Sequence, residues 1–216
     1  MTRPQRLVLV VGTATEVGKT WVAADLLGVA RRRGMVVAAR KPAQSFDRAD
    51  DPSGYDSVLL ARATGEHPDS VCPAHRSYPA AMAPPMAADV LGRPRIELSE
   101  LLEEITWPSG IDLGLVETAG GVASPLTHDA ASADLVGPLA PDLVVLVADA
   151  GLGTINAVRL SAHPLGSSPL VVVLNRFDAA SELHRRNQQW LETDGFDTVT
   201  RVDEILDRLT DDDATP

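Results

Sequence analysis

The stretch RLVLVVGTATEVGKTW, residues 6–21, decides how the rest of the chain is read. Residues 7–11 are an unbroken run of leucine and valine, the pattern of a strand buried on both faces of a parallel sheet. Gly12, Gly18, Lys19 and Thr20 follow. The strict phosphate-loop pattern, G-x-x-x-x-G-K-[ST], requires glycine where this chain has Thr13; the glycine stands one place earlier, at Gly12. The physics still favours a phosphate loop. Gly18 frees the backbone for close approach. Residues 19–33 read as a helix with Val22, Leu26, Leu27 and Ala30 on one face. The N-terminus of such a helix presents unpaired N–H groups and partial positive charge to an anion. Lys19 adds a point charge, and the Thr20 hydroxyl can reach a magnesium ion. The plainer alternative is a strand–turn–helix corner with a surface lysine.

Alternation of strands and helices continues along the chain. Strands are expected at 35–41 (MVVAARK), 112–117 (DLGLVE), 142–148 (DLVVLVA) and 169–175 (PLVVVLN). Helices are expected at 55–63, 98–105, 134–139, 154–161, 180–193 and 203–209. Residues 42–54 read as loop, and the proline- and alanine-rich 67–95 has no clear pattern. Strands separated by helices give an α/β fold: a three-layer, mainly parallel sheet covered on both faces. Ligands of such sheets sit at the carboxyl ends of the strands. Those ends carry Gly12 to Thr20, then Lys41, then Glu117 with Thr118, Ala119 and Gly120, then Asp149 with Gly151 and Gly153, then Asn175. Each alone reads as a solvated strand end; together on one edge they make a site.

Composition bounds the partners. The 216 residues suffice for one domain, expected over 1–210, with a disordered acidic tail at 211–216. A net charge of −11 disfavours nucleic acid as the main partner. No long apolar span or signal peptide is present, so no membrane association and a cytoplasmic location are expected. The single cysteine, Cys72, excludes an internal disulfide and reads as a bystander thiol. Trp21, Trp107 and Trp190 read as packing residues.

The blocks around these strand ends resemble the dethiobiotin synthetase family of the P-loop NTPases. GTATEVGKT at 12–20 is similar to the family's GT-D-TEVGKT, with the same extra loop residue and Ala14 in place of aspartate. KPAQS (41–45), YDSVLL (55–60), AMAPPMAA (81–88), VETAGG (116–121) and LGTIN (152–156) resemble further family segments. The resemblance covers most of the chain up to Asn175. It implies closure of a cyclic urea from 7,8-diaminopelargonic acid, carbon dioxide and ATP, through a carbamate and a carbamic–phosphoric anhydride, in a homodimer. By the same resemblance Glu16, Val17, Gly18, Lys19, Thr20 and Trp21 wrap the phosphates. Thr20, Asp56 and Glu117 hold magnesium. Lys41 is the catalytic lysine, with Lys19 beside it. Thr15, Ser45 and Lys41 contact the substrate, Thr118, Ala119 and Gly120 line the nucleotide, and Asn175 meets the adenine. Gly153, Thr154 and Asn156 receive the substrate's carboxylate tail near a dimer interface.

The departures from the family fall mainly on the acceptor and base sides. Phe46 replaces a glycine, Pro85 and Ala157 replace histidines, and Thr118 replaces the first glycine of GAGG, implying a side chain close to the nucleotide or substrate. Arg176 after Asn175 is also unusual, and no Gly-x-I/V-P segment follows. Other readings therefore stand beside the synthetase: a paralogue acting on another acceptor, or a ParA-like regulatory ATPase. An amidotransferase of the cobyrinic acid type would carry a glutaminase domain, for which this chain is too short.

Overall fold

The computed structural model describes residues 3–211. The tail at 211–216 lies outside the described residues, apart from the backbone of Asp211, which ends the last helix. In chain order the elements are β1 (Arg6–Gly12), α1 (Lys19–Arg32), β2 (Val37–Arg40), β3 (Gln44–Ser45), α2 (Asp56–Thr64), α3 (Pro68–Val71), β4 (Ser77–Tyr78), α4 (Pro84–Val90) and α5 (Leu98–Glu104). They continue with β5 (Leu113–Glu117), α6 (Val136–Leu139), β6 (Leu143–Asp149), α7 (Thr154–Ala162), β7 (Leu170–Asn175), α8 (Glu182–Thr193), β8 (Asp197–Val199) and α9 (Asp203–Asp211).

Among the described residues six strands form one sheet in the order β2-β5-β1-β6-β7-β8, and every pairing in it is parallel. β1 sits inside the sheet: Val8 pairs with Leu115 of β5 on one side and with Leu143 of β6 on the other. Successive residues of β1 feed opposite faces. Val8 and Val10 join a core with Val22 and Leu26 of α1, Leu60 of α2 and Ile205 of α9. Leu7, Leu9 and Val11 join a second core with Ala87 of α4, Leu101 of α5, Val158 of α7 and Leu191 of α8. Burial on both sides is why the strand reads as a continuous apolar run rather than an alternation.

Five elements lie where no strand or helix was expected. β3 and β4 are two-residue strands paired parallel to each other. They are too short to show a period. α4 begins with Pro84 and Pro85; proline fits the first helical turn, where its missing N–H costs nothing. β8 is a three-residue edge strand whose Asp197 is exposed. α3 is a single turn in the proline-rich segment. Trp107 packs against the second core, with the guanidinium of Arg40 over its ring. Trp21 and Trp190 do not pack: they are exposed on the outer sides of α1 and α8, because the inner side of α1 is filled by Val22, Ala23, Leu26 and Leu27. Among the described residues no helix is long and apolar enough to cross a membrane.

Candidate active site

The carboxyl edge of the sheet opens into a cavity of about 880 Å³. Its lining includes Thr15, Glu16, Gly18, Lys19, Thr20, Lys41, Ser45, Asp56, Glu117, Ala119 and Gly120. Eleven of the residues singled out in the sequence thus converge on one space. They arrive from the turn after β1, the ends of β2 and β5, the short strand β3 and the start of α2.

The turn after β1 explains the shifted glycine. A Cβ on Gly12 would come within 2.9 Å of Lys19 Cδ and 3.0 Å of Val17 Cγ2. The loop therefore folds back over Gly12, and glycine is required there rather than at Thr13. Gly18 has φ +93 and forms the N-cap of α1; Glu16 also has a left-handed backbone, at φ +60. Lys19 Nζ donates to the Ala14 carbonyl at 3.0 Å. Burial, and then the charge of Lys41, lower Lys19 from 10.5 to about 8.

Under the loop lies an ionic cluster. Lys41 is buried, with Nζ 2.7 Å from Asp56 Oδ2, 2.7 Å from Glu117 Oε1 and 3.1 Å from the Thr118 carbonyl. Burial acts to lower Lys41, but the charges of Asp56 and Glu117 outweigh it and hold the ammonium above its ordinary range. Burial pushes the Glu117 carboxyl up, against the pull of Lys41. Asp56 stays below its ordinary value: burial opposes ionisation, but Lys41 and the Thr20 hydroxyl prevail.

The same cluster tests the fit of a metal ion. Among the described residues no group of three or more His, Cys, Asp or Glu is gathered. The available donors are instead hard oxygens. Thr20 Oγ1 lies 2.7 Å from Asp56 Oδ1 and 2.8 Å from Glu117 Oε1. A hydroxyl has one proton and can donate to only one carboxylate at a time. Glu117 Oε2 is buried with no hydrogen-bond partner. Crowded oxygens with one buried lone acceptor suit a small hard dication.

Other expected residues take different places. Thr118 is buried, with its hydroxyl directed at the Val10 carbonyl, so its side chain faces β1 and not the cavity. Its contribution is the carbonyl that Lys41 meets. Val17 is buried behind the loop, and Trp21 points outward. Asn175 is buried with Nδ2 2.8 Å from the Val17 carbonyl. Gly153, Thr154 and Asn156 stand at the start of α7 and do not line the cavity; Thr154 Oγ1 is buried without a partner.

Gln44, Met82, Ala83 and Pro84 also line the cavity, and sequence reading assigned them no role. Gln44 donates to Ser57 Oγ at 2.9 Å and Ser77 Oγ at 2.8 Å, and accepts from the Ser57 amide at 2.9 Å. It ties β3 and β4 to the start of α2, where Asp56 sits. Its only signal was its place in the KPAQS block. Phe46 stacks on Tyr55 with ring centroids 3.9 Å apart, and lines the same cavity as Met82, Ala83 and Pro84. Cys72 is a bystander: burial raises its thiol to about 12, so it stays protonated and unreactive at neutral pH.

The lowered lysine has a measurable consequence. Binding of nucleotide phosphates near pH 8 is expected to be coupled to proton uptake, because their charge restores Lys19 toward its ordinary value. Calorimetry in buffers of different ionisation enthalpy reads this directly. Uptake should grow from pH 7 to 9; proton-independent binding would contradict it. In the free protein the sign is fixed too. A depressed lysine costs stability below its folded value of about 8, and the cost is relieved as pH rises toward 10.5.

A family profile described as an AAA domain matches residues 6–207. The ATP-dependent dethiobiotin synthetase of Caulobacter vibrioides is 37% identical over 179 residues, covering 80% of this chain and 81% of that protein. The enzyme of the same name from Haloferax mediterranei is 38% identical over 189 residues, covering 85% and 77%. Among solved structures, a putative plasmid partition protein of Borrelia burgdorferi bound to AMPPNP superposes with a TM-score of 0.56 at 16% identity, covering 93% of this chain and 88% of that one. That likeness concerns the fold alone. Sequence identity of this extent to the synthetases, on a P-loop fold, places the chain in the ATP-dependent dethiobiotin synthetase family.

Proposed function

We propose that this protein closes the ureido ring of dethiobiotin from 7,8-diaminopelargonic acid, carbon dioxide and ATP. The observation that carries the reading is the buried cluster of Lys41, Asp56 and Glu117 directly beneath the phosphate loop. A lysine held charged there has one evident use, which is to stabilise negative charge developing between nucleotide and acceptor.

In this reading the loop amides and Lys19 hold the nucleotide phosphates, and Lys41 lies between them and the acceptor. One amine takes up carbon dioxide and loses a proton, giving a carbamate. The carbamate oxygen attacks the γ-phosphorus and ADP leaves. The second amine attacks the carbamoyl carbon, phosphate leaves, and the amine gives up a proton to the departing phosphate as the ring closes. Lys41 neutralises the carbamate and the phosphoryl group in flight, and Thr15 and Ser45 orient the diamine. Thr20, Asp56 and Glu117 are the residues that would hold magnesium, which neutralises phosphate charge when bound. Asn175 borders the base. The apolar wall of Phe46, Met82, Ala83 and Pro84 suits the aliphatic chain of the acceptor. The start of α7, with the unpartnered Thr154 hydroxyl, suits its carboxylate. Since that end lies outside the cavity, it serves a second copy in a homodimer. Residues 1–210 act as one domain, in the cytoplasm.

The test is phosphate release with magnesium, bicarbonate and ATP, with and without the diamine, while dethiobiotin is followed by mass. Diamine-dependent release with product is expected. ATP binding without diamine-dependent turnover would move the acceptor to another amine or leave a regulatory ATPase.

A further inference from the structure

Two neighbouring residues at the end of β7 grip two neighbouring carbonyls of the phosphate loop. Asn175 Nδ2 donates to the Val17 carbonyl at 2.8 Å. Arg176 Nη2 donates to the Glu16 carbonyl at 2.8 Å, while its Nη1 is 2.9 Å from Asp149 Oδ2 at the end of β6. Asp149 is itself held, since its Oδ1 accepts from the Gly151 amide at 2.9 Å. A chain of contacts thus runs from the turn after β6, through Arg176, to the loop after β1.

Peptide geometry gives this grip a consequence. In a planar trans peptide the carbonyl and the following N–H point in opposite directions. Fixing the Glu16 carbonyl toward Arg176 turns the N–H of Val17 the other way. Fixing the Val17 carbonyl toward Asn175 does the same for Gly18. The loop alternates handedness around them, with φ +60 at Glu16 and φ +93 at Gly18, the backbone pattern that forms an anion-binding nest. Arg176 itself has φ +57, a conformation unfavourable for a non-glycine residue. Arg176 thus stands at a position where glycine would relax the backbone. Its ion pair is more than half exposed at Arg176 (59%), so it adds little to stability.

We propose that Arg176 is a positioning residue for the nucleotide: by holding the Glu16 carbonyl it aims the loop amides at the phosphates. The proposal rests on the reading of residues 12–20 as a nucleotide loop, and is independent of the acceptor.

The experiment measures Mg-ATP binding by calorimetry, with steady-state kinetics and melting temperature, for Arg176→Ala, Arg176→Gly and Arg176→Lys. Arg176→Ala and Arg176→Gly should each weaken ATP binding about tenfold, the scale of one lost hydrogen bond from a charged donor. The kcat should stay within about twofold and the acceptor KM should not change, as for loss of uniform binding. Arg176→Gly should melt no lower than the parent protein, since glycine accepts φ +57 without strain. Arg176→Lys should recover part of the affinity, because one ammonium cannot serve Glu16 and Asp149 with the arginine's planar fork. Unchanged ATP affinity in the alanine and glycine variants would overturn the proposal. So would a loss of affinity that merely tracked a loss of melting temperature, or a fall in kcat with affinity intact. Failure of the parent protein to bind Mg-ATP would instead overturn the nucleotide reading itself.

Discussion

Lys41→Met should abolish product formation, lowering kcat by a factor on the order of 10³ or more, while Mg-ATP still binds within about tenfold of the parent affinity. Methionine fills much of the buried volume but cannot answer the developing charge. The phosphate loop keeps Lys19 and its amides, so binding survives. The variant also tests the electrostatics of the cluster. Without Lys41, the fully buried Glu117 loses its cationic partner beside Asp56, a situation that costs about 3–5 kcal/mol when a partner is simply removed. Glu117 already lies above its ordinary 4.5 and would move further by taking a proton. A raised carboxyl favours the fold below its unfolded value and loses that advantage as pH climbs through the folded one. The stability deficit of Lys41→Met should therefore widen from about pH 4.5 toward neutrality. Turnover equal to the parent's would remove Lys41 from the chemistry. A pH-independent deficit would mean that the carboxylates are not coupled to it.

Gly18→Ala should produce the second large effect, at the level of nucleotide affinity. An added Cβ would stand 2.1 Å from Asn175 Nδ2, in a backbone at φ +93. Left-handed geometry costs a non-glycine residue about 1–2 kcal/mol, and displacing the Asn175 amide from the Val17 carbonyl costs about 1–3 kcal/mol more. The loop would have to rebuild, and ATP binding should weaken by about a hundredfold or more. Gly153→Ala is the control. It has the same φ of +93 but open space around its Cβ, so it should lower stability by about 1–2 kcal/mol at most and leave ATP binding alone. Calorimetric affinity and melting temperature for the pair decide the matter. Equal affinity for both variants would show that contact with Asn175 is unimportant.

These two residues were visible in the sequence for a physical reason. A strand buried on both faces needs a long apolar run, so β1, β6 and β7 announce themselves, and the residues that follow them fall on one edge. Lys41 and Glu117 fall there by that geometry, and Asp56 was added by resemblance alone. What escaped was information held between distant segments. Phe46 stacks on Tyr55 across a loop, Gln44 holds two serines from other elements, and Arg176 meets Glu16 from the opposite end of the chain. None has a period or a local spacing to betray it. Thr118 shows the converse: standing for the first glycine of the family's GAGG segment, it implied a side chain close to the nucleotide or substrate, but the alternation of an extended backbone turns it to the Val10 carbonyl.

The place of β1 between β5 and β6 has a consequence for synthesis of the chain. The strand that bears the phosphate loop is synthesised before its sheet partners, since Arg6 pairs with Leu113 and Val8 with Leu143. At cellular elongation rates its partners emerge only after roughly ten seconds. Until then a bare apolar β-strand is exposed, with the aggregation hazard that this carries. Folding is therefore expected to be late and dependent on distant contacts. Truncated chains ending before residue 143 should be held by chaperones or precipitate, and should show no trace of nucleotide binding.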